Sequence, residues 1–150
     1  MSQSKQSIHH VLAKSYLVYL FASLVGLLAD GFINLKFHAP FTLWFAIACF
    51  ALGPAVILWA QRTSRHYEKE KTTNGAYFNR GPYRFVRNPT HVGLLILVTG
   101  YTLVSGSVIF FGVTLIGFLV SNIFFTKYES ILSEAHGSDY QKYRSSVPKI

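Results

Sequence analysis

The sequence predicts an all-α polytopic membrane protein with about four transmembrane helices, and three observations carry that prediction. The chain is 51% hydrophobic and only 13% charged, where soluble domains carry roughly 25% charge. Its charges are segregated, so that long apolar runs alternate with short basic ones. The apolar runs have the lengths of bilayer spans, and the most basic segment lies between the second and third of them. We read residues 1–150 as a single domain, without a fixed-period repeat, a low-complexity tract or a second unit. The formal net charge of +8 does not point to nucleic acid. The basic residues flank hydrophobic spans, where the positive-inside rule and anionic lipid account for them. Cys49, the single cysteine, lies inside an apolar run and reads as a small packing residue.

Residues 1–10 are polar and are expected to form a poorly ordered cytosolic lead, with His9 and His10 solvated. Lys5 and Lys14 precede an apolar stretch, but no A-x-A-like cleavage site follows, so the stretch reads as a retained span. That first span covers roughly Val11 to Ala29, with Lys14 able to snorkel to the headgroups. Asp30-Gly31 ends it. Pro40 opens the second span, which runs to about Ala60. Its 21 residues reach roughly 31 Å as a helix, enough to cross a bilayer core. Gly53-Pro54 is expected to kink it, and its alanines and glycine favour close helix packing.

Residues 61–90 are hydrophilic. Seven basic residues (Arg62, Arg65, Lys69, Lys71, Arg80, Arg84, Arg87) face two acidic ones, Glu68 and Glu70. The segment should therefore face the cytosol. Its start continues the second helix into water, and Thr72-Thr73-Asn74-Gly75 reads as a turn. The third span, Pro89 to Val104, has 16 residues, roughly 24 Å against a typical core of about 30 Å. Either it stops short of the far side, or it starts below the headgroups. In the second case a site at its start meets a lipid and a water-soluble molecule together. Ser105-Gly106-Ser107 makes a tight turn into the fourth span, Val108 to Phe125, where Gly117 and Ser121 form a small-residue face. This helix is expected to continue to about His136 and to end at Gly137. Tyr140, Tyr143 and Val147 then give the tail an apolar face on which to fold back. Both termini are expected in the cytosol, together with segments 61–93 and 126–150.

One stretch organises the rest: Gly81-Pro82-Tyr83-Arg84-Phe85-Val86-Arg87-Asn88-Pro89-Thr90-His91-Val92-Gly93. Asn88 precedes a proline, which pushes it out of the α region, and asparagine is a favoured N-cap. Pro89 suits the first helical position. A basic loop ending at a helix N-terminus suits an anionic ligand group. The same residues also serve as a membrane anchor beside a helix cap. His91 by itself is more often a packed or capping residue than a base. Glu129, one turn beyond Phe125, reads either as a surface carboxylate paired with Lys127 or as a carboxylate facing the Arg87 loop. No Ser/His/Asp set, HExxH, GxGxxG or Walker motif is recognisable, and no metal site is expected.

The same stretch resembles the G-P-Y-R-x-x-R-H-P-x-Y-x-G motif of the isoprenylcysteine carboxyl methyltransferase and phospholipid methyltransferase superfamily. Tyr128-Glu129, followed by Gly137, Tyr140, Tyr143 and Val147-Pro148, is similar to that family's closing pattern of a glutamate pair, G-x-x-Y-x-x-Y and V-P. The resemblance covers about residues 40–150, with both motifs in order around a helical hairpin. It implies a membrane-embedded enzyme that uses S-adenosylmethionine, with the two motifs closing a cofactor pocket on the cytosolic side. A lipid or prenylated acceptor would enter from the bilayer. The matching cofactor-binding positions are Gly81, Pro82, Tyr83, Asn88, Pro89, His91, Gly93, Tyr128 and Glu129, with Arg87 and Glu129 as the candidate catalytic pair. In this reading the Asn88–His91 helix start takes the cofactor's amino-acid end, and Glu129 takes its ribose or amino group. The Tyr83 face favours the sulfonium. Arg87 orients the acceptor or braces Glu129. Three positions depart from the pattern: Asn88 stands where histidine is common, His91 where tyrosine is common, and Ser130 replaces the second glutamate.

Carboxyl O-methylation of an isoprenylcysteine-like acid and N-methylation of a phospholipid amine both fit the resemblance. Two rivals stand beside it. Membrane sterol reductases, which use NADPH, carry a related G-L-W-x-x-x-R-H-P-N-Y-x-G-E motif, but this chain has Pro82-Tyr83 after the glycine, Thr90-His91 for Asn-Tyr and Leu94 for Glu. The other rival is a non-enzymatic membrane protein of the same fold.

Overall fold

The computed structural model describes residues 2–33, 35–37, 42–70 and 80–149, and the side chains of these except at 2–13, 15, 65–70, 128, 135 and 136. The predicted Pro40 start of the second span and the Thr72–Gly75 turn lie outside the described residues, as do the side chains of His9, His10, Tyr128 and His136. Four long helices follow in order: α1 (Ser2–Phe32), α2 (Thr42–Glu70), α3 (Pro89–Ser105) and α4 (Val108–Ser146). A one-turn 3₁₀ helix, Gly81–Arg84, precedes α3. The described residues contain no strand, only an isolated bridge between Lys36 and Ser107.

The helices differ from the expected spans mostly at their ends. α1 already starts at Ser2, where a poorly ordered lead was expected. Residues 2–10 contain neither Gly nor Pro, so nothing local stops the helix from running outward past the apolar stretch. α2 continues through Pro54 to Glu70, as an extension into water requires. α3 and the start of α4 fall where expected. Gly106 takes the left-handed conformation that ends α3 (φ 64°), and Ser107 caps α4 by accepting from the Phe110 N–H at 3.0 Å. Gly137 (φ 54°, ψ −128°) breaks α4 into a long helix and a C-terminal one.

The burial pattern is that of a membrane bundle. Phe21, Trp44 and Ile123 are 65–74% exposed, while Ser107, Thr114, Ser121, His91 and Glu129 are buried. A soluble core would show the reverse. Apolar side chains facing outward need lipid around them, and small or polar ones inward let helices approach closely. The buried hydroxyls turn back on their own helix, with Thr114 Oγ1 donating to the Phe110 carbonyl at 2.7 Å and Ser121 Oγ to that of Phe118 at 2.8 Å. Two helices, α2 over Thr42–Ser64 and α4 over Val108–Glu134, are long and apolar enough to cross a membrane; the apolar parts of α1 and α3 are shorter.

The helices pair as α1 along α4 and α2 along α3. Glycines set both contacts. A Cβ on Gly93 would lie 2.8 Å from the Gly53 carbonyl and 2.6 Å from Ile57. Gly53 is thus a crossing point as well as the neighbour of a proline. Cys49 packs where a Cβ on Gly100 would stand 2.8 Å away, as expected of a small packing residue. Gly117 accommodates Ala22 of α1. At the end remote from the motif loop, Asp30 pairs with Lys36 and accepts from the Ser107 hydroxyl. There the Phe37 N–H also donates to the Gly106 carbonyl at 2.8 Å. These contacts orient the bundle. The starts of α1 and α3 and the ends of α2 and of α4's long segment lie at one end, with the motif loop.

Candidate active site

The motif loop is built from its own residues outward. Gly81 has φ 57°, and a Cβ there would collide with Thr63 of α2, so only glycine lets the loop lie against α2. Pro82 at the start of the 3₁₀ turn is buried. Asn88 caps α3, its side chain accepting from the His91 N–H at 3.4 Å, and Pro89 follows in the first turn. The expected cap is therefore present. Gly93 faces α2, so its role in this geometry is to bring α3 against α2.

Arg87 and Glu129 meet. Arg87 Nη1 lies 2.6 Å from Glu129 Oε1, with both side chains nearly excluded from solvent. Of the two sequence readings of Glu129, the carboxylate that faces the Arg87 loop is the one observed. The Arg87 guanidinium also lies beside the Tyr140 hydroxyl. Tyr140 belongs to a buried cluster with Tyr143 and Val147, and Leu132 packs on it. The tail folds back as its spacing predicts. Burial, and then the Glu129 carboxylate, push the Tyr140 phenol up to about 12, because a phenolate there would be poorly solvated and beside a like charge.

The tail straps the loop in place. The Tyr143 hydroxyl donates to the Tyr83 carbonyl at 2.8 Å, and the Arg87 N–H donates to the Pro148 carbonyl at 3.0 Å. Lys149 Nζ reaches the Asn122 carbonyl at 3.2 Å and Thr126 Oγ1 at 2.8 Å. Burial lowers the pKa of Lys149, and the Glu129 carboxylate opposes that shift. Lys149 is a site residue that sequence reasoning did not single out; the Val147-Pro148 pair beside it was the available signal. Ser130 is exposed, and its hydroxyl donates to the Lys127 carbonyl at 2.8 Å, away from the ion pair.

His91 is 0% exposed. Its ring packs between Tyr16 and Tyr19 of α1 (centroids 5.8 Å) and Phe118 and Phe125 of α4 (6.3 and 6.0 Å). It joins α3 to the other helix pair. Apart from Tyr83, whose carbonyl takes the Tyr143 hydroxyl, and Tyr128, whose side chain lies outside the described ones, the predicted site residues divide into three groups. Arg87 and Glu129 form an ion pair beside Tyr140. Gly81, Pro82 and Gly93 shape the contact with α2. Asn88, Pro89 and His91 form the capped and packed start of α3. Among the described residues there is no cluster able to hold a metal ion.

An all-α bundle that is apolar outside, and that buries an ion pair where a basic loop meets the start of a helix, defines a polytopic membrane protein with a polar site at one end. The family model for phospholipid methyltransferase matches residues 41–138, and the chain belongs to that family, within the isoprenylcysteine and phospholipid methyltransferase superfamily. Membership makes it, in general terms, a membrane methyltransferase. The match spans α2, the motif loop, α3 and α4 to the Gly137 break; α1 and most of the tail lie outside it. No curated protein and no solved structure matches the chain.

Proposed function

We propose that residues 1–150 form one domain that transfers a methyl group from S-adenosylmethionine to a membrane lipid, with four spans and with both termini and the site in the cytosol. The observation that carries this reading is the buried Arg87–Glu129 pair, which joins the family's two motifs at the end of the bundle. The donor set suits the cofactor. The Asn88 side-chain amide nitrogen is buried with no hydrogen-bond partner among the described residues, at a helix N-terminus that favours a carboxylate. It would hold the cofactor's amino-acid end, and Glu129 the ribose or amino group. The Tyr83 ring would stand near the sulfonium. Arg87 would brace Glu129.

When bound, the cofactor supplies an electrophilic methyl carbon; the acceptor's lone pair forms the new bond to it while the carbon–sulfur pair returns to sulfur. The residues of this chain do not bond to the methyl group. They align donor and acceptor and exclude water, which lowers the barrier by fixing the approach. A carboxylate acceptor needs no base, whereas an amine acceptor must arrive unprotonated.

Calorimetry on the protein in nanodiscs tests the reading, with S-adenosylmethionine, S-adenosylhomocysteine and NADPH as ligands. Micromolar binding of the first two is expected. Binding of NADPH alone would replace the reading with a reductase, and no binding by a folded sample would replace it with a non-enzymatic role.

A further inference from the structure

The motif loop continues the lipid-facing surface of α2. Leu58 and Trp59 stand among the outward side chains of that helix, 51% and 45% exposed, and Phe85 of the loop is 54% exposed. The Trp59 and Phe85 rings meet, with centroids 6.5 Å apart and planes tilted by 58°. Gly81 rests on Thr63, one turn beyond Trp59, and so holds the loop where the two rings approach. The Arg84 guanidinium lies over the Phe85 ring, 4.4 Å from its centroid. Arg84 is exposed, and among the described residues no carboxylate pairs with it. Arg62, also exposed, follows Trp59 by three residues and shares its face of α2. Trp59 and Arg62 lie in the last turns of the part of α2 that is apolar enough to cross a membrane, Thr42–Ser64.

Aromatic rings are favoured at the level where hydrocarbon gives way to headgroups. A guanidinium stacked on a ring keeps its N–H edge open, and that edge fits two oxygens of a phosphate. We propose that Trp59, Phe85, Arg84 and Arg62 form a docking surface for the headgroup of an anionic phospholipid, with both rings at headgroup level and the lipid's negative charge met by the two arginines. The occupant is bilayer lipid and not a soluble acidic partner, because the patch is continuous with the apolar outer face of α2. It is also not the methyl acceptor. The patch is exposed, whereas the Arg87–Glu129 pair is buried. Docking sets the depth of the site. Arg87 follows Phe85 by two residues, so the ion pair lies at the membrane boundary and the short α3 starts there, not out in water. The inference holds whether or not the site takes S-adenosylmethionine.

Two measurements test the assignment. For charge, native mass spectrometry of delipidated protein in detergent compares phosphatidylglycerol with phosphatidylcholine of the same chains. The wild type should hold the anionic lipid more tightly, by roughly fivefold for each arginine engaged. The double change Arg62→Gln with Arg84→Gln should remove that preference. Lys127→Gln, which removes an exposed cation outside the patch, should leave it. Equal affinity for the two lipids, a preference that survives the double change, or an equal loss in Lys127→Gln would overturn the assignment. For depth, Phe85→Trp is made in a chain whose two native tryptophans, Trp44 and Trp59, are changed to Phe. The protein is placed in nanodiscs of phosphatidylcholine brominated either beside the ester carbonyl or near the chain end. The shallow bromines should quench the indole at position 85 more strongly. Water-like emission without quenching, or stronger quenching by the deep bromines, would overturn the assignment. If that variant fails to fold, the lipid preference of the wild type and its loss in the double variant decide alone.

Discussion

At the residue scale, the buried pair sets the strongest expectations. Glu129 is 2% exposed, so removing Arg87 leaves a carboxylate with neither water nor its ion-pair partner. Breaking a buried pair from one side costs about 3–5 kcal/mol. Arg87→Ala and Glu129→Ala should each lower the thermal midpoint in detergent, and the double variant should lose less than the sum of the two. Additive losses would show that the two side chains do not interact. Glu129→Ala should also abolish S-adenosylmethionine binding, and unchanged affinity would remove Glu129 from the cofactor site. Tyr140 carries a second expectation. Its raised pKa means that the folded protein keeps a proton the unfolded chain loses. The stabilisation is complete below about pH 10 and disappears as the pH rises through about 12. An absorbance titration should show one tyrosine ionising near that upper value in the folded protein, and Tyr140→Phe should eliminate it.

At the scale of elements, glycines decide which helices can touch. Gly93→Ala would place a methyl group 2.8 Å from the Gly53 carbonyl, and backbone cannot yield as a side chain does. The α2–α3 pair would have to separate, at a cost of about 1–3 kcal/mol. Gly112 has nothing within 4 Å of an added Cβ, so Gly112→Ala should be neutral or slightly stabilising through helix propensity. Thermal midpoints of the two variants, measured side by side, check the contrast; equal effects would mean that propensity outweighs packing at Gly93. The start of α3 depends on the same crossing, because Gly93 is only two residues from His91.

For the whole molecule, the tail couples the motif loop to α4. A chain ending at Ser146 loses the Pro148 carbonyl that accepts the Arg87 N–H, and loses Lys149 from the groove of Asn122 and Thr126. Hydrogen exchange should then quicken at the Arg87 amide. Exchange over α2 away from the loop should stay unchanged, since α2 packs on α3 and the 3₁₀ turn. Equal protection of the Arg87 amide in both chains would show that the tail does not strap the loop. The His91 ring holds the two helix pairs together, so His91→Ala should loosen α1 and α4 from α3 by opening a cavity.

Much of this was legible in the sequence, because its signals are local. Span-length apolar runs, Asn88-Pro89 as a cap, Ser105-Gly106-Ser107 as a turn, Gly137 as a break and the tyrosine spacing of the tail each follow from backbone sterics or periodicity within a few residues. The class of fold and the position of the motif loop follow from them. What only the tertiary structure decided is which partners those residues meet. Glu129 could have faced Lys127 or Arg87, forty-two positions away in the chain by residue number, and only the return of α4 to the loop selects Arg87. His91 reads from the sequence as a packed or capping residue more than as a base, and only the tertiary structure shows which rings surround it, those of α1 and α4. No local pattern encodes such a meeting, because long-range contacts depend on how whole helices pack and not on the preferences of any one segment.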